Sequence, residues 1–428
     1  MEKLFRYTAI LVTLLLTLSY NTYGQDEPKK RPTIGLVLSG GAAKGFAHVG
    51  VIKVLEELGI FPDYIAGTSM GSLVGGLYAA GYNSSMMYYI VRKQDWNEIL
   101  TDKYNRRNLS TYEKEQADRI FIPVAIRDSK AKISLGLMSG QKVHRLLADL
   151  TWNVYKDTLF ADLPIPFFCA ATNIVTGKAE YLDQGNLADA MRASMAIPSV
   201  FDPIQIDGKM YVDGGLVDNF PVIEMKKRFN PDIIIGVDVG YRVKNQQQLN
   251  SLTSILEQVV FNPSVDFNAK NGKECTILIK PDLNGYGTTN FNDADSIMAC
   301  GERSARAIYA QLKALADSLR NIAPMKTAKL FHNVDTIQID EIYIDGLKKI
   351  PPQVIIRKLN LEIPGKVDRK ELAEGINDAY STLLFESINY EVRKLDRVYF
   401  AGLTKKDIPR GKWRFLTDME VNMLKMMK

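Results

Sequence analysis

The sequence has few of the residues that build several common kinds of site. Among 428 residues there are three histidines and three cysteines. Cys169, Cys275 and Cys300 show neither CxxC nor zinc-ligand spacing, which excludes a disulfide framework and a cysteine zinc site. Basic and acidic residues nearly balance, 54 against 49, so the charge does not indicate a nucleic-acid partner. We expect a folded protein that needs no metal and no cofactor.

Long apolar runs are also rare, and the main one lies at the N-terminus, which excludes a polytopic membrane protein. Lys3 and Arg6 precede the apolar stretch Thr8–Leu18, and small residues follow up to Gly24. This order is typical of a signal peptide over residues 1–24, with an uncleaved membrane anchor as the alternative. Residues 25–32 follow as a polar linker. We therefore expect an exported protein in the periplasm, at the outer membrane or at the cell surface.

A strand, a glycine-rich loop and a helix open the first domain. Ile34–Leu38 is an apolar run of strand length, Ser39–Gly45 is a loop of small residues, and a helical apolar pattern then ends at Gly59. Such a loop presents unpaired backbone N–H groups to an anion. Lys44 is not followed by Ser or Thr, which excludes a Walker loop, and Ala42 weakens a dinucleotide fingerprint. An oxyanion hole is the third alternative, and the loop alone does not decide among them.

A possible nucleophile follows 24 residues later. Gly67–Gly71 reads GTSMG and stands between the strand-like Asp63–Ala66 and a helix of small and apolar residues. A GxSxG between a strand and a helix is a nucleophile elbow, in which the glycines leave room for a strained turn that exposes Ser69. The alternative is that Ser69 only caps a helix.

A serine nucleophile needs a base. His48, His144 and His332 are each candidates, and His332 would complete the order of an α/β-hydrolase triad. A carboxylate is the other possibility. Asp213 follows the second strand of a predicted hairpin and precedes two glycines, whereas Asp207 lies in the turn of the same hairpin and is the competing carboxylate.

Four segments together give the chain a family resemblance. They are LVLSGGAAKGFAHVG (Leu36–Gly50), GTSMG, ADAMRASMAIPSVFDPI (Ala188–Ile204) and YVDGGLVDNFPV (Tyr211–Val222). In this order they resemble the patatin-like phospholipases. The resemblance implies an α/β fold with three α/β/α layers around a central, mostly parallel sheet, which we expect over residues 33–325.

The resemblance also implies a mechanism and its residues. Ser69 would be the nucleophile and Asp213 the general base of a dyad without histidine, acting through an acyl-enzyme. The expected elbow glycines are Gly67 and Gly71, and the expected oxyanion loop comprises Gly40, Gly41, Ala42, Lys44 and Gly45. Many relatives have glycine at the position of Ala42, so the hole requires a negative or mildly strained φ there. The implied substrate is a lipid or another acyl ester, met at a membrane surface, and Met86–Val91 and Ile133–Met138 are candidates for an acyl channel.

A second, smaller domain is expected over residues 336–403. Its pattern predicts a strand, two helices and two strands, at Ile337–Ile344, Pro352–Leu359, Arg369–Leu384, Ile388–Val392 and Arg397–Phe400. This β-α-α-β-β order resembles a POTRA domain, a small α+β module, and implies an envelope protein partner that adds a strand to its edge.

Beyond this module, the basic tail 404–428 lies where a patatin-like autotransporter would begin its barrel. Residues 393–428 carry ten basic and four acidic residues, so attraction to anionic lipid is a further possibility. Two functions remain open. The chain is either an exported serine acyl-ester hydrolase or an envelope assembly protein whose hydrolase domain is vestigial.

Overall fold

The computed structural model of the chain describes residues 31–101, 125–127, 130–132, 136–240, 252–322, 331, 334–344, 347, 350–380, 388, 399–400 and 403–404. The expected signal peptide, residues 25–30 of the linker, His332 and the basic tail after residue 404 lie outside these residues. The expectations for them stay predictions.

An eight-stranded sheet forms the centre of the larger domain, in the order β12-β11-β1-β2-β6-β10-β9, with β7 paired to β6. The neighbours from β12 to β6 are parallel, and β6, β7, β9 and β10 pair antiparallel. The expected mostly parallel sheet is therefore confirmed. The strands are β1 (Ile34–Leu38), β2 (Tyr64–Thr68), β3 (Ala125–Arg127), β4 (Lys130–Lys132), β5 (Gly136–Met138), β6 (Phe167–Asn173), β7 (Lys178–Leu182), β8 (Ser199–Phe201), β9 (Ile204–Ile206), β10 (Lys209–Asp213), β11 (Ile233–Val237), β12 (Ile277–Ile279), β13 (Thr336–Ile339), β14 (Gly365–Asp368), β15 (Tyr399–Phe400) and β16 (Leu403–Thr404).

Helices cover both faces of this sheet, as β1 shows most simply. Leu36 and Leu38 pack into one apolar cluster and Val37 into another on the opposite face, because successive strand residues point to opposite sides. The three-layer arrangement is thus confirmed. The helices are α1 (Ala47–Leu58), α2 (Met70–Ala79), α3 (Ser84–Lys93), α4 (Trp96–Thr101), α5 (Gln141–Leu150), α6 (Leu187–Ser194), α7 (Val222–Phe229), α8 (Leu252–Gly272), α9 (Ala294–Ala307), α10 (Tyr309–Ile322), α11 (Pro352–Leu359) and α12 (Arg369–Tyr380).

The C-terminal module differs in part from the expected order. Within the described residues it runs β13-α11-β14-α12, and β14 pairs antiparallel with β13. The sequence did not indicate β14, because its four residues GKVD contain one apolar side chain, Val367. Of the expected closing strands, Ile388 and Tyr399–Phe400 are described, and the latter pairs with β16. The resemblance to a POTRA domain stays a prediction.

The described residues contain no helix that is both long enough and apolar enough to cross a bilayer. All three cysteines are free thiols, and Cys169 and Cys300 are buried.

Candidate active site

Ser69 occupies a strained turn between β2 and α2. Its φ of 53° and ψ of −125° lie outside the common regions for a residue with a side chain. The turn is crowded: a Cβ on Gly67 would lie 2.4 Å from the carbonyl oxygen of Gly71, and a Cβ on Gly71 would lie 2.3 Å from that of Leu38. Both elbow positions therefore require glycine, as the motif predicted.

Asp213 ends β10 and lies against Ser69. The Ser69 hydroxyl donates a 2.7 Å hydrogen bond to Oδ2 of Asp213, and the N–H of Gly215 donates one of 2.7 Å to Oδ1. Strand β6 lies between β2 and β10 in the sheet order, and this brings together two residues that are 144 positions apart. The two side chains expected to form the dyad are thus in direct contact.

The environment of Asp213 makes it a stronger base than an ordinary aspartate. Burial raises the pKa of the Asp213 carboxyl from 3.8 to about 6, although hydrogen bonds from Ser69 and Gly215 act in the opposite direction. A desolvated carboxylate resists ionisation, and this increases its tendency to take up a proton. Near neutral pH Asp213 is ionised and able to accept the Ser69 proton.

The glycine loop lies beside this pair. A Cβ on Gly40 would lie 3.0 Å from Cβ of Ser69, and one on Gly45 would lie 2.5 Å from Cβ of Met70. The N–H of Gly40 donates to the carbonyl of Asn219 at 3.1 Å, and that of Lys44 donates to Gly41 at 3.1 Å. These two of the expected oxyanion donors are therefore already engaged.

Two loop donors remain available for an anion. The N–H groups of Gly41 and Ala42 donate to no acceptor among the described residues, which is the arrangement that an oxyanion hole requires. Ala42 has a φ of 48°, so its backbone is left-handed and not negative. This conformation costs about 1–2 kcal/mol for a residue with a Cβ, and it explains why glycine would suit the position.

Asn219 is a supporting residue that the sequence analysis did not single out. The side-chain amide of Asn219 donates to the backbone carbonyl of Gly40 at 3.3 Å, and the backbone carbonyl of Asn219 accepts a hydrogen bond from the N–H of Gly40. Asn219 is buried and thus fixes the peptide unit that begins the loop. It lies within the segment Tyr211–Val222, whose family resemblance was the available signal.

The other candidates for a base that lie among the described residues do not reach Ser69. Nε2 of His48 donates to the Ser39 carbonyl at 2.8 Å, and burial lowers the pKa of this imidazole to about 4. Nε2 of His144 lies 2.6 Å from Oδ1 of Asp189. Asp207 forms the turn between β9 and β10 with a φ of 50°, as the hairpin pattern predicted. Among the described candidates, Asp213 is the one in contact with Ser69.

An apolar pocket that is open to solvent begins beside the elbow at Met70. Its lining atoms are apolar, and Met70, Leu73, Val74 and Leu77 contribute one face of α2. From the expected channel segment Met86–Val91, the residues Met87, Ile90 and Val91 contribute to the wall. Of the other segment, Ile133–Leu135 lies outside the described residues, and Gly136–Met138 forms β5.

The described residues contain no group of three or more His, Cys, Asp or Glu side chains arranged to hold a metal ion. The chemistry of the site as described rests on a hydroxyl, a carboxylate and backbone N–H groups.

Part of the chain is similar to known proteins. Residues 36–226 match the family model described as patatin-like phospholipase. The chain is 30% identical over 312 residues to lysophospholipase nte1 of Emericella nidulans and 35% identical over 301 residues to lysophospholipase NTE1 of Scheffersomyces stipitis. These alignments cover 65% and 64% of the chain but 18% of each relative. Among solved structures, VipD from Legionella pneumophila aligns with a TM-score of 0.36 at 14% identity, covering 66% of this chain and 67% of that one.

Proposed function

Given that residues 36–226 match the patatin-like phospholipase family model, we propose that the protein is a lipid acyl hydrolase that uses Ser69 and Asp213 as a catalytic dyad. The observation that carries the proposal is the 2.7 Å hydrogen bond from the Ser69 hydroxyl to the buried Asp213 carboxylate. The two free N–H groups of the glycine loop and the adjoining apolar cavity support it.

The proposed reaction has two steps with an acyl-enzyme between them. Asp213 takes the Ser69 proton as Oγ attacks the ester carbonyl, and the N–H groups of Gly41 and Ala42 stabilise the tetrahedral oxyanion. Collapse of this intermediate breaks the ester bond, and the alcohol leaves with the proton from Asp213. Water then attacks the acyl-enzyme, with Asp213 again as the base, and releases a fatty acid and free Ser69.

The proposed substrate is a lipid with a long acyl chain. The apolar pocket adjoins Met70, the residue that follows the nucleophile, and its apolar lining is that of a site for an apolar ligand. The names of the fungal relatives favour lysophospholipids among the possible lipids. The composition of residues 1–24 supports export, and a fusion of these residues to an enzyme that is active only in the periplasm tests it.

The experiment measures fatty acid release by the purified protein from lysophosphatidylcholine and from diacyl phosphatidylcholine vesicles. We expect Ser69→Ala and Asp213→Asn each to lower kcat at least 1,000-fold, because single dyad members of serine hydrolases contribute about this much. Asp207→Asn is the matched control, since this turn carboxylate does not contact Ser69. Full activity of Ser69→Ala would overturn the proposal, and an inactive wild type would favour the envelope assembly role.

A further inference from the structure

Ser194, which none of the motifs above assigns to the chemistry, lies directly behind the nucleophile. It is the last residue of α6 and is fully buried. Its hydroxyl oxygen accepts a 2.9 Å hydrogen bond from the backbone N–H of Ser69 and donates one of 2.6 Å to the carbonyl of Ala170. One side-chain hydroxyl therefore joins the elbow of β2 to the neighbouring strand β6.

The position of this hydroxyl matches the end of a strand ladder. The parallel pairing of β2 with β6 ends at Thr68 and Ala170, and the chain turns sharply at Ser69, the next residue. Its N–H is buried and no longer faces a carbonyl of β6 at ladder distance, so it needs another acceptor. The Ser194 hydroxyl fills the gap and connects the Ser69 N–H to the last carbonyl of the ladder.

The same segment also holds the base. The N–H of Asp213 donates to the carbonyl of Ala196 at 2.9 Å, and the hydroxyl of Thr172 donates to the carbonyl of Asp213 at 2.9 Å. Residues 194–196 thus contact the backbones of both dyad members. A shift of Ser69 relative to this segment changes the distance between its Oγ and the Asp213 carboxylate.

On the premise of the proposed function, we propose that Ser194 is a positioning residue for catalysis, whose hydroxyl holds the strained Ser69 backbone so that Oγ stays in hydrogen-bond contact with Asp213. The strained φ and ψ of Ser69 persist only where the surroundings impose them. Removing the acceptor leaves a buried N–H unsatisfied and allows the turn to relax. The substrate cavity keeps its lining, so the loss falls on kcat and not on KM.

The test compares wild type, Ser194→Ala and Ser194→Cys on a short-chain p-nitrophenyl ester, over a range of pH. We expect Ser194→Ala to lower kcat 10- to 100-fold with KM within twofold, and to slow labelling by a fluorophosphonate by the same factor. Ser194→Cys keeps the size of the side chain but is a weak acceptor, and we expect it to lose 3- to 10-fold in kcat. The hydrogen bond from Ser69 lowers the pKa of Asp213. If this bond is weakened in the variants, the pKa of Asp213 rises and the acidic limb of the pH profile moves to higher pH.

Ser84→Ala is the matched control, because Ser84 is also a buried serine whose hydroxyl donates to a protein acceptor, Glu56. We expect it to lower stability while kcat and the pH profile stay unchanged. The proposal would be overturned if both Ser194 variants kept the wild-type kcat and pH profile. It would also be overturned if Ser84→Ala, at the same loss of stability, lost as much kcat as the Ser194 variants. If Ser194→Ala does not fold, Ser194→Cys decides in the same way. An inactive wild type would instead contradict the proposed function, on which this assignment rests.

Discussion

The carboxyl group of Asp213 is the proposed base of Ser69, and no histidine among the described residues contacts Ser69. An exposed aspartate has a pKa of about 3.9 and is a poor base. Burial raises the pKa of Asp213 to about 6, while the donors Ser69 and Gly215 keep the carboxylate from being protonated at neutral pH. The balance of desolvation and hydrogen bonding thus brings the basicity of Asp213 closer to that of the imidazole in known serine hydrolases.

The first prediction concerns the pH dependence of activity. Asp213 acts as a base only when ionised, so we expect kcat/KM to fall below an apparent pKa near 6. The measurement is kcat/KM for a soluble ester between pH 4.5 and 9. His48→Gln serves as the control and should leave this limb in place, because His48 does not contact Ser69. If the acidic limb of kcat/KM disappears in His48→Gln, the assignment of Asp213 as the base is contradicted.

The second prediction concerns stability. A carboxyl whose pKa is higher in the folded than in the unfolded state stabilises the fold below the unfolded value, and this contribution is lost as pH rises through the folded value. For Asp213 the window runs from 3.8 to about 6. Asp213→Asn lacks this loss, so its unfolding free energy relative to wild type should rise between pH 4 and pH 7, by on the order of 2–3 kcal/mol.

Urea denaturation at the two pH values measures this difference. Asp207→Asn is the control, because Asp207 lies in a turn outside the site, and its difference from wild type should be nearly flat with pH. An Asp213→Asn protein whose relative stability does not change with pH would mean that the carboxylate is not desolvated in the folded state.

Residues that act through their side chains were easier to predict than those that act on the backbone. Ser69 stands in an elbow motif, and Asp213 stands in a segment whose family resemblance implied its role. Asn219 and Ser194 hold backbone groups of residues far away in the sequence, and such contacts leave no local spacing pattern. For the same reason the sequence did not show that the N–H groups of Gly40 and Lys44 donate within the protein.

Helix α2 starts directly after Ser69, the proposed nucleophile, and also lines the apolar pocket. Met70, Leu73, Val74 and Leu77 have the spacing of one helix face. At 1.5 Å per residue, Leu77 lies about 12 Å along the axis from Ser69. This geometry suggests that Leu77 limits the acyl chain at a distance from the reacting carbonyl.

The third prediction follows from this position. Leu77→Trp should lower kcat/KM for a long-chain ester roughly 10-fold or more, since one misplaced methylene group costs about 1–3 kcal/mol in a hydrophobic site. A butyrate ester does not reach Leu77, and its kcat/KM should stay within twofold. Leu77→Ala is the opposing variant and should favour the longer chain. Equal losses on both esters would contradict the role of this cavity.

Helices and strands whose apolar residues recur at a regular spacing matched the structure. Short strands and interrupted helices were not predicted. The apolar run Ile34–Leu38 is β1, and the helix expected to end at Gly59 does so, with a φ of 74° at that glycine. Over Asn290–Leu319 the apolar residues recur at helical spacing, whereas the structure has two helices, α9 and α10, with an interruption at Ile308. Both helices present the same face to the core, so their shared period hides the break.

The two folded units of the chain meet at the end of α5. The ring of Trp152 is buried in the apolar cluster of the C-terminal module, together with Ile337 and Val367. The N–H of Ile388 donates to the side chain of Gln141 at 3.0 Å, and Arg369 donates to the Asp149 carbonyl at 3.4 Å. The module therefore contacts the helix that also contributes Val143 and Leu147 to the cavity wall.

The fourth prediction tests this junction. Trp152→Ala should lower the unfolding free energy by about 3–5 kcal/mol, the usual cost of removing a buried tryptophan. It should also expose residues 350–380 to limited proteolysis before the hydrolase domain is cut. Phe160→Ala, in the core of the larger domain, should cost a similar amount without this early cleavage. If Trp152→Ala leaves the cleavage pattern unchanged, the two units do not depend on this contact.

The central claim is that Ser69 carries the acyl group, and covalent labelling tests it most directly. The purified chain is treated with a long-chain fluorophosphonate, and the modified residue is located by mass spectrometry of its peptides. We predict one adduct per chain on the peptide containing Ser69, much slower labelling of Asp213→Asn, and none of Ser69→Ala. An adduct on another residue, or equal labelling of Ser69→Ala, would contradict the account.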